Sequence, residues 1–425
     1  MISQPARIVV IDNEPKHLSA LTRALANMGS ACLPFLYEAE HPSQSHLASA
    51  RVIFCDLHLL SDAMTSDNKQ QYANIASMLL ESLKEEHGPY LLIVWSRYPK
   101  EVEDLHAYLE ELSPGQQPVL CLCLDKGKFI DIDSGEPLVG TDLPAEISKM
   151  FEENPGLSAL LQWEQNVSKA ASVSTSTLWK LCQAHGDHQD RALRNTLGRL
   201  AKGALGDEFA RDRPGRGVTE ALGPLLADQL EKESLDEDYW KAAVEFDQPG
   251  MSASAVELYT YLHIETETNC LATERGVVSS LPSQWISAGK FIAKFGHNKT
   301  DILKTFGFQG DKLHKAIKNS SWYLVQINAA CDEAQGNPGL LPFCLAAAVP
   351  TEITNNTPKG SVWRSKNFMI KARSCRLLCH GSFILGMKHV EARKLQPQFR
   401  IRSQLLDLMV QDVRTNSARL GVLEP

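Results

Sequence analysis

Five short apolar runs, each followed by a longer stretch with helical periodicity, constrain the first 155 residues more than any other feature of this 425-residue chain. The runs are Arg7–Ile11, Ala31–Tyr37, Val52–Cys55, Leu91–Trp95 and Val119–Leu124. They are nearly continuous in apolar residues, as strands buried on both faces must be. Between them, Pro15 opens a stretch with Leu18, Leu21, Leu25 and Met28 on one face, and His41–Ala50 reads as a short helix. Tyr72, Ile75, Leu79 and Leu83 mark the next helix, and Val102, Leu105, Leu109 and Leu112 the one after. The last begins near Pro144 with Ile147 and Phe151 turned inward. Strand and helix in strict alternation predict an α/β fold: a five-stranded, parallel, doubly wound, flavodoxin-like sheet with helices on both faces.

Open parallel sheets place their ligands at the carboxyl ends of the strands. Asp12, Asn13 and Glu14 follow the first strand, Asp56 the third, Ser96 the fourth, and Asp125 and Lys126 the fifth. Acids, a hydroxyl and a lysine thus converge on one edge. That combination fits phosphoryl transfer to a carboxylate, with Asp56 as the nucleophile. Asp12, Glu14 and Asp56 supply oxygens for Mg²⁺, and Ser96 and Lys126 are placed to bind the phosphoryl oxygens.

With Ile-Asp-Asn-Glu-Pro at 11–15, Phe-Cys-Asp at 54–56, Trp-Ser at 95–96 and Asp-Lys at 125–126, the stretch from about residue 5 to 152 resembles the receiver domain of bacterial two-component response regulators. The resemblance implies an aspartyl phosphate on Asp56, Mg²⁺, and a histidine kinase or small phosphodonor as the source of the phosphoryl group. It also implies an inward pull on Ser96 upon phosphorylation. The chain departs from the family pattern at several points. Asn13 stands where a second acid is usual, and Gly127 where a proline follows the lysine, so that Lys128 rivals Lys126 for the phosphate-binding role. Leu122 and Cys123 occupy the region of the usual switch aromatic. Phe129–Asp142 is an insert that reads as a hairpin.

The rest of the chain is less explicit. Residues 156–250 carry leucines at helical spacing and read as a helical connector or bundle, a possible homodimer element, with Arg211–Gly217 as a loop. Residues 251–425 read as an α+β output domain with a small, barrel-like sheet. Its strands are expected at Trp322–Ile327, Leu340–Val349, Asn367–Ile370, Leu377–Cys379 and Ser382–Met387, and an amphipathic helix at Ser403–Val413. Charge is divided unevenly. Residues 340–425 hold 13 Lys and Arg against 5 Asp and Glu, a net of +8, while the remainder holds 30 against 46. Such a split suggests a downstream protein partner, or nucleic acid bound through basic residues in 359–419. No helix-turn-helix or zinc-finger signature accompanies it.

Two function classes follow: a signalling protein whose receiver gates an unusual output domain, and an effector enzyme, a hydrolase or nuclease, built on Cys331, Asp332 and His380. Cys375, Cys379 and His380, with Cys331 or Cys344, are the residues a zinc site would use, although their spacing is not the paired C-x-x-C. No run of about 18 apolar residues is present, so no membrane span is expected. Ten scattered cysteines and the lack of a signal-peptide layout fit a reducing, cytoplasmic setting.

Overall fold

A computed structural model of the chain describes residues 6–38, 47, 49–60, 68–83, 88–112, 117–183, 188–232, 237–246, 254–266, 269–329, 339–355 and 362–417. The chain divides into two compact units. One comprises Met1–Asn166 with Leu235–Val244, the other Val167–Ser234 with Glu245–Pro425.

In the first unit, β1 (Ile8–Asp12), β2 (Leu33–Leu36), β3 (Val52–Cys55), β4 (Leu91–Ser96) and β5 (Leu120–Asp125) form an all-parallel sheet in the order β2-β1-β3-β4-β5. The three inner strands are buried along almost their whole length, which explains their unbroken apolar sequences. Alternation divides their side chains between two cores. Val9, Ile11, Ile53, Cys55, Leu92 and Val94 pack with residues of α2 (Asn68–Ser82) and α3 (Pro99–Leu112). Val10, Phe54, Ile93 and Trp95 pack with Leu18, Leu21 and Leu25 of α1 (Pro15–Asn27) and Ile147 of α4 (Leu143–Glu152). Helices therefore cover both faces, as the alternation of the sequence requires. Most of His41–Ala50 lies outside the described residues.

Helix α5 (Pro155–Gln183) supplies residues to both units, and α6 (Gln189–Leu205), α7 (Asp207–Asp212) and α8 (Pro214–Lys232) follow in the second. The loop expected at Arg211–Gly217 shrinks to Arg213. Pro214 does not break the helical run but starts the next helix, because its fixed φ and missing N–H suit a first turn. Helices α6 and α8 pack closely: a Cβ on Gly217 would lie 2.8 Å from the Cα of Ala201.

The C-terminal sheet is larger than expected. It has eight strands in an antiparallel, half-barrel arrangement, with the path β10-β12-β9-β8-β7-β13-β6 and β11 paired to β12. These are β6 (Ile264–Glu265), β7 (Val277–Ser280), β8 (Ser321–Gln326), β9 (Leu341–Pro350), β10 (Val362–Arg364), β11 (Phe368–Ile370), β12 (Arg373–Met387) and β13 (Pro397–Ile401). The two runs expected at Leu377–Cys379 and Ser382–Met387 are halves of the single strand β12. An irregularity in register between Cys379 and Ile384 interrupts its apolar pattern. One face of the sheet packs with Phe291, Ile302, Phe306 and Leu313 from short helices, the other with Leu406, Met409 and Val413 of the C-terminal helix Ser403–Ser417.

The turn joining β11 to β12 carries an avoidable cost. Ile370 pairs with Arg373, so Lys371 and Ala372 form a two-residue loop, and both have positive φ (48° and 61°). That is the backbone of a primed hairpin turn, which suits Asn-Gly and strains residues with a Cβ. Ala372→Gly is expected to raise stability by about 1 kcal/mol, read as a higher urea midpoint. An unchanged or lower midpoint would contradict this account of the turn.

Candidate functional site

Asp12 is the last residue of β1, and Asp56 immediately follows β3, its neighbour in the sheet. Both sit where an apolar strand gives way to a loop, and both are buried. Lys126 begins a short 3₁₀ turn, Lys126–Lys128, directly after β5. Its buried ammonium lies 2.9 Å from Asp56 Oδ2 and 3.6 Å from Asp12 Oδ2. Two buried carboxylates therefore share one buried cation.

Burial, and then the Asp56 carboxylate, push the Asp12 pKa up to about 7 against the opposing pull of Lys126. Asp12 Oδ1 accepts the backbone N–H of Glu14 at 2.8 Å. Asp12 Oδ2 and Asp56 Oδ1 are buried without a hydrogen-bond partner among the described residues.

Ser96 ends β4 and is fully buried. Its Oγ accepts the backbone N–H of Tyr98 at 3.2 Å, which leaves the hydroxyl proton to donate. The turn after β5 separates the two candidate lysines. Asp125 accepts the Gly127 N–H at 3.1 Å, and Lys128 points outward, its side chain 73% exposed, with its Nζ 3.9 Å from Asp125. Lys126, not Lys128, stands with the two acids. Asn13 donates from Nδ2 to the carbonyls of His58 and Leu59, at 3.0 and 3.2 Å. It thus ties the loop after β3 to the end of β1 and contributes no negative charge.

The third carboxylate expected of a metal site is not brought in: Glu14 is exposed ahead of α1, and its side chain forms no capping bond. Among the described residues no group of three His, Cys, Asp or Glu side chains is arranged to hold a metal ion. The donors that remain still suit Mg²⁺, which takes one or two carboxylates and keeps its waters. Asp12 and Asp56 each offer a buried oxygen without a hydrogen-bond partner, and their combined charge exceeds that of Lys126.

His17 escapes notice in the sequence, although it sits in the first turn of the helix that follows the acids. It is buried, with Nε2 donating to the Ile132 carbonyl at 2.9 Å and Nδ1 4.0 Å from Asp12 Oδ1. Burial lowers its pKa. Lys16 Nζ donates to the Asp133 carbonyl at 2.9 Å, so two successive residues of α1 hold the insert 129–142, which contains the bridge Ile130–Pro137. A Cβ on Gly135, at φ 74°, would lie 2.8 Å from Lys16 Cβ, so this docking depends on glycine.

In the second unit, Cys331 and Asp332 lie outside the described residues. His380 is on β12 with its Nδ1 accepting the Ser382 N–H at 3.1 Å and its ring beside Phe383. Cys375 and Cys379 point to the opposite face of β12 from His380, as odd and even positions of a strand must. Burial raises both thiols, as it does not for a reactive or ligating cysteine. The described residues do not assemble a zinc set from Cys344, Cys375, Cys379 and His380, and the pairing of Cys331 with His380 lies outside them.

Compared with known proteins, the chain matches no family model, no curated protein and no solved structure. The five-stranded order β2-β1-β3-β4-β5 is compatible with a receiver-like fold.

Proposed function

We propose that the N-terminal unit is a receiver-like phosphoacceptor, with Asp56 taking a phosphoryl group from a histidine kinase or a small phosphodonor. The observation that supports this most directly is the buried triad of Asp56, Asp12 and Lys126 at the carboxyl edge of the sheet. An Asp56 oxygen attacks phosphorus, the donor's leaving group departs with the bonding electron pair, and an acyl phosphate forms. Lys126 neutralises charge on the entering group, and the Ser96 hydroxyl donates to one of its oxygens. Asp12 and Asp56 would hold Mg²⁺, which supplies further charge neutralisation when bound. Hydrolysis returns the carboxylate and inorganic phosphate. The phosphorylated state would regulate the C-terminal unit and its contacts with a downstream protein or nucleic acid, so that the whole chain serves signalling.

The test is incubation of the full chain with Mg²⁺ and acetyl phosphate, followed by intact mass. One phosphate is expected on the native chain and none on Asp56→Asn. Equal labelling of the variant, or no labelling of the native chain by this donor or by a histidine kinase, would overturn the reading.

A further inference from the structure

Among the described residues, two arginines of the C-terminal unit are brought together without an acid. Arg364 of β10 pairs with Leu378 of β12. Arg376 precedes Leu378 by two residues, so alternation puts Arg364 and Arg376 on one face of the sheet as diagonal neighbours. Leu378 and Phe383 mark that face, while Cys375, Leu377 and Cys379 belong to the core on the other. The acid nearest to Arg364 in sequence, Glu352, is engaged at 2.7 Å by Arg373, whose place in the alternation is opposite to that of Arg376. Among the described residues, no carboxylate pairs with Arg364 or Arg376. Residues 356–361, between Asn355 and β10, add Lys359 and no acid to the sequence.

The two side chains are partly fixed. Arg376 is half-buried, and its Nη2 donates to the Thr351 carbonyl at 2.8 Å. Its Nε–H is buried with no partner among the described residues. Arg364 is exposed, with Nη1 3.4 Å from Asn355 Oδ1. Asn355 is itself anchored through Nδ2 to the Phe306 carbonyl at 2.7 Å. Burial, and then the field of Arg364, lower the pKa of Arg376. Guanidinium forks match the oxygens of phosphate in geometry and charge, and a buried, unmatched N–H is costly until such an acceptor arrives.

We propose that Arg364 and Arg376 form a binding site for a phosphate-class oxyanion. This site depends on the C-terminal unit alone and stands apart from Asp56 chemistry. The anion is either a free phosphate or phosphomonoester, or a phosphodiester of a nucleic-acid strand. A polymer source would draw on the +8 of residues 340–425 as well.

The experiment titrates inorganic phosphate into the full-length chain at constant ionic strength with chloride as the control. EDTA is included so that the N-terminal carboxylates hold no metal. Phosphate is expected to raise the melting temperature beyond chloride. Arg364→Met and Arg376→Met are each expected to weaken that response about tenfold, whereas Arg373→Met leaves it unchanged. Arg364 is exposed, so its variant still reports should Arg376→Met fail to fold. A response no larger than that of chloride, or one undiminished in Arg364→Met, overturns the proposal.

A second arm uses a single-stranded oligonucleotide. Binding at least about tenfold tighter than phosphate, steeply weakened by salt and by Arg364→Met, identifies the strand as the source. A phosphate response without oligonucleotide binding identifies the small ligand. Either result supports the arginine site.

Discussion

Lys126→Met is expected to cost about 3–5 kcal/mol of stability near pH 8, whereas Lys128→Met should change it by less than about 0.5 kcal/mol. The two lysines are separated by one residue, so sequence position does not distinguish them. Burial and partners do. Lys126 is the buried ammonium between Asp56 and Asp12, while Lys128 is 73% exposed and 3.9 Å from an acid at the surface. Removing Lys126 leaves two buried carboxylates facing each other in a low-dielectric setting. Removing Lys128 breaks an ion pair already solvated by water. The Lys126→Met deficit should shrink on acidification, because protonating Asp12 removes one of the two opposing charges. Urea unfolding of the full chain at pH 5 and pH 8 checks both statements. A small deficit at pH 8, or a larger one at pH 5, would contradict the geometry described. The same variant should slow labelling by acetyl phosphate, which Lys128→Met should not.

The two units differ, for a physical reason, in how much of their structure is legible in the sequence. In the first, a parallel sheet buried on both faces forces continuous apolar strands, and its helices must bury one stripe each. Val52–Cys55 was therefore visible to the residue, and the site could be located by reading the residue after each strand. Sequence does not show that Glu14 stays exposed, or that Lys126 is buried and Lys128 exposed. Those outcomes depend on where α1 starts and on a single 3₁₀ turn. His17 carries no signal in the sequence because its role depends on the insert 129–142, far along the chain. In the second unit the sheet is antiparallel, with short strands such as Ile264–Glu265 and Val277–Ser280 that carry too little pattern to find. The long strand β12 looks like two separate runs in the sequence because its irregular register disrupts the period of two. Arg364 and Arg376 stand 12 positions apart in the sequence and meet only through the pairing of β10 with β12.

Asp12 should make the chain less stable as the pH rises, which is the reverse of the usual carboxylate effect. A salt-bridged carboxylate with a lowered pKa stabilises above its unfolded pKa. Asp12 is held near 7 against an ordinary 3.8, chiefly by burial and then by Asp56. The folded state thus binds the extra proton throughout that window, and stability falls as pH climbs from about 4 to about 7, by up to about 4 kcal/mol from this group. His17 acts in the opposite sense. Its pKa is lowered by burial, so its contribution is lost as pH falls below the unfolded value of 6.5. The two overlap, and the difference between the native chain and Asp12→Asn isolates the first. Asp12→Asn is expected to match or trail the native chain at pH 5 and to exceed it by about 2–4 kcal/mol at pH 8. Mg²⁺ should add stability to the native chain chiefly at the higher pH, where proton and cation no longer compete for Asp12, and much less to Asp12→Asn. If the variant is no more stable than the native chain at pH 8, Asp12 is not held above its ordinary pKa by burial and the neighbouring Asp56. If Mg²⁺ stabilises both equally, the cation is bound elsewhere and Asp12 is not among its ligands.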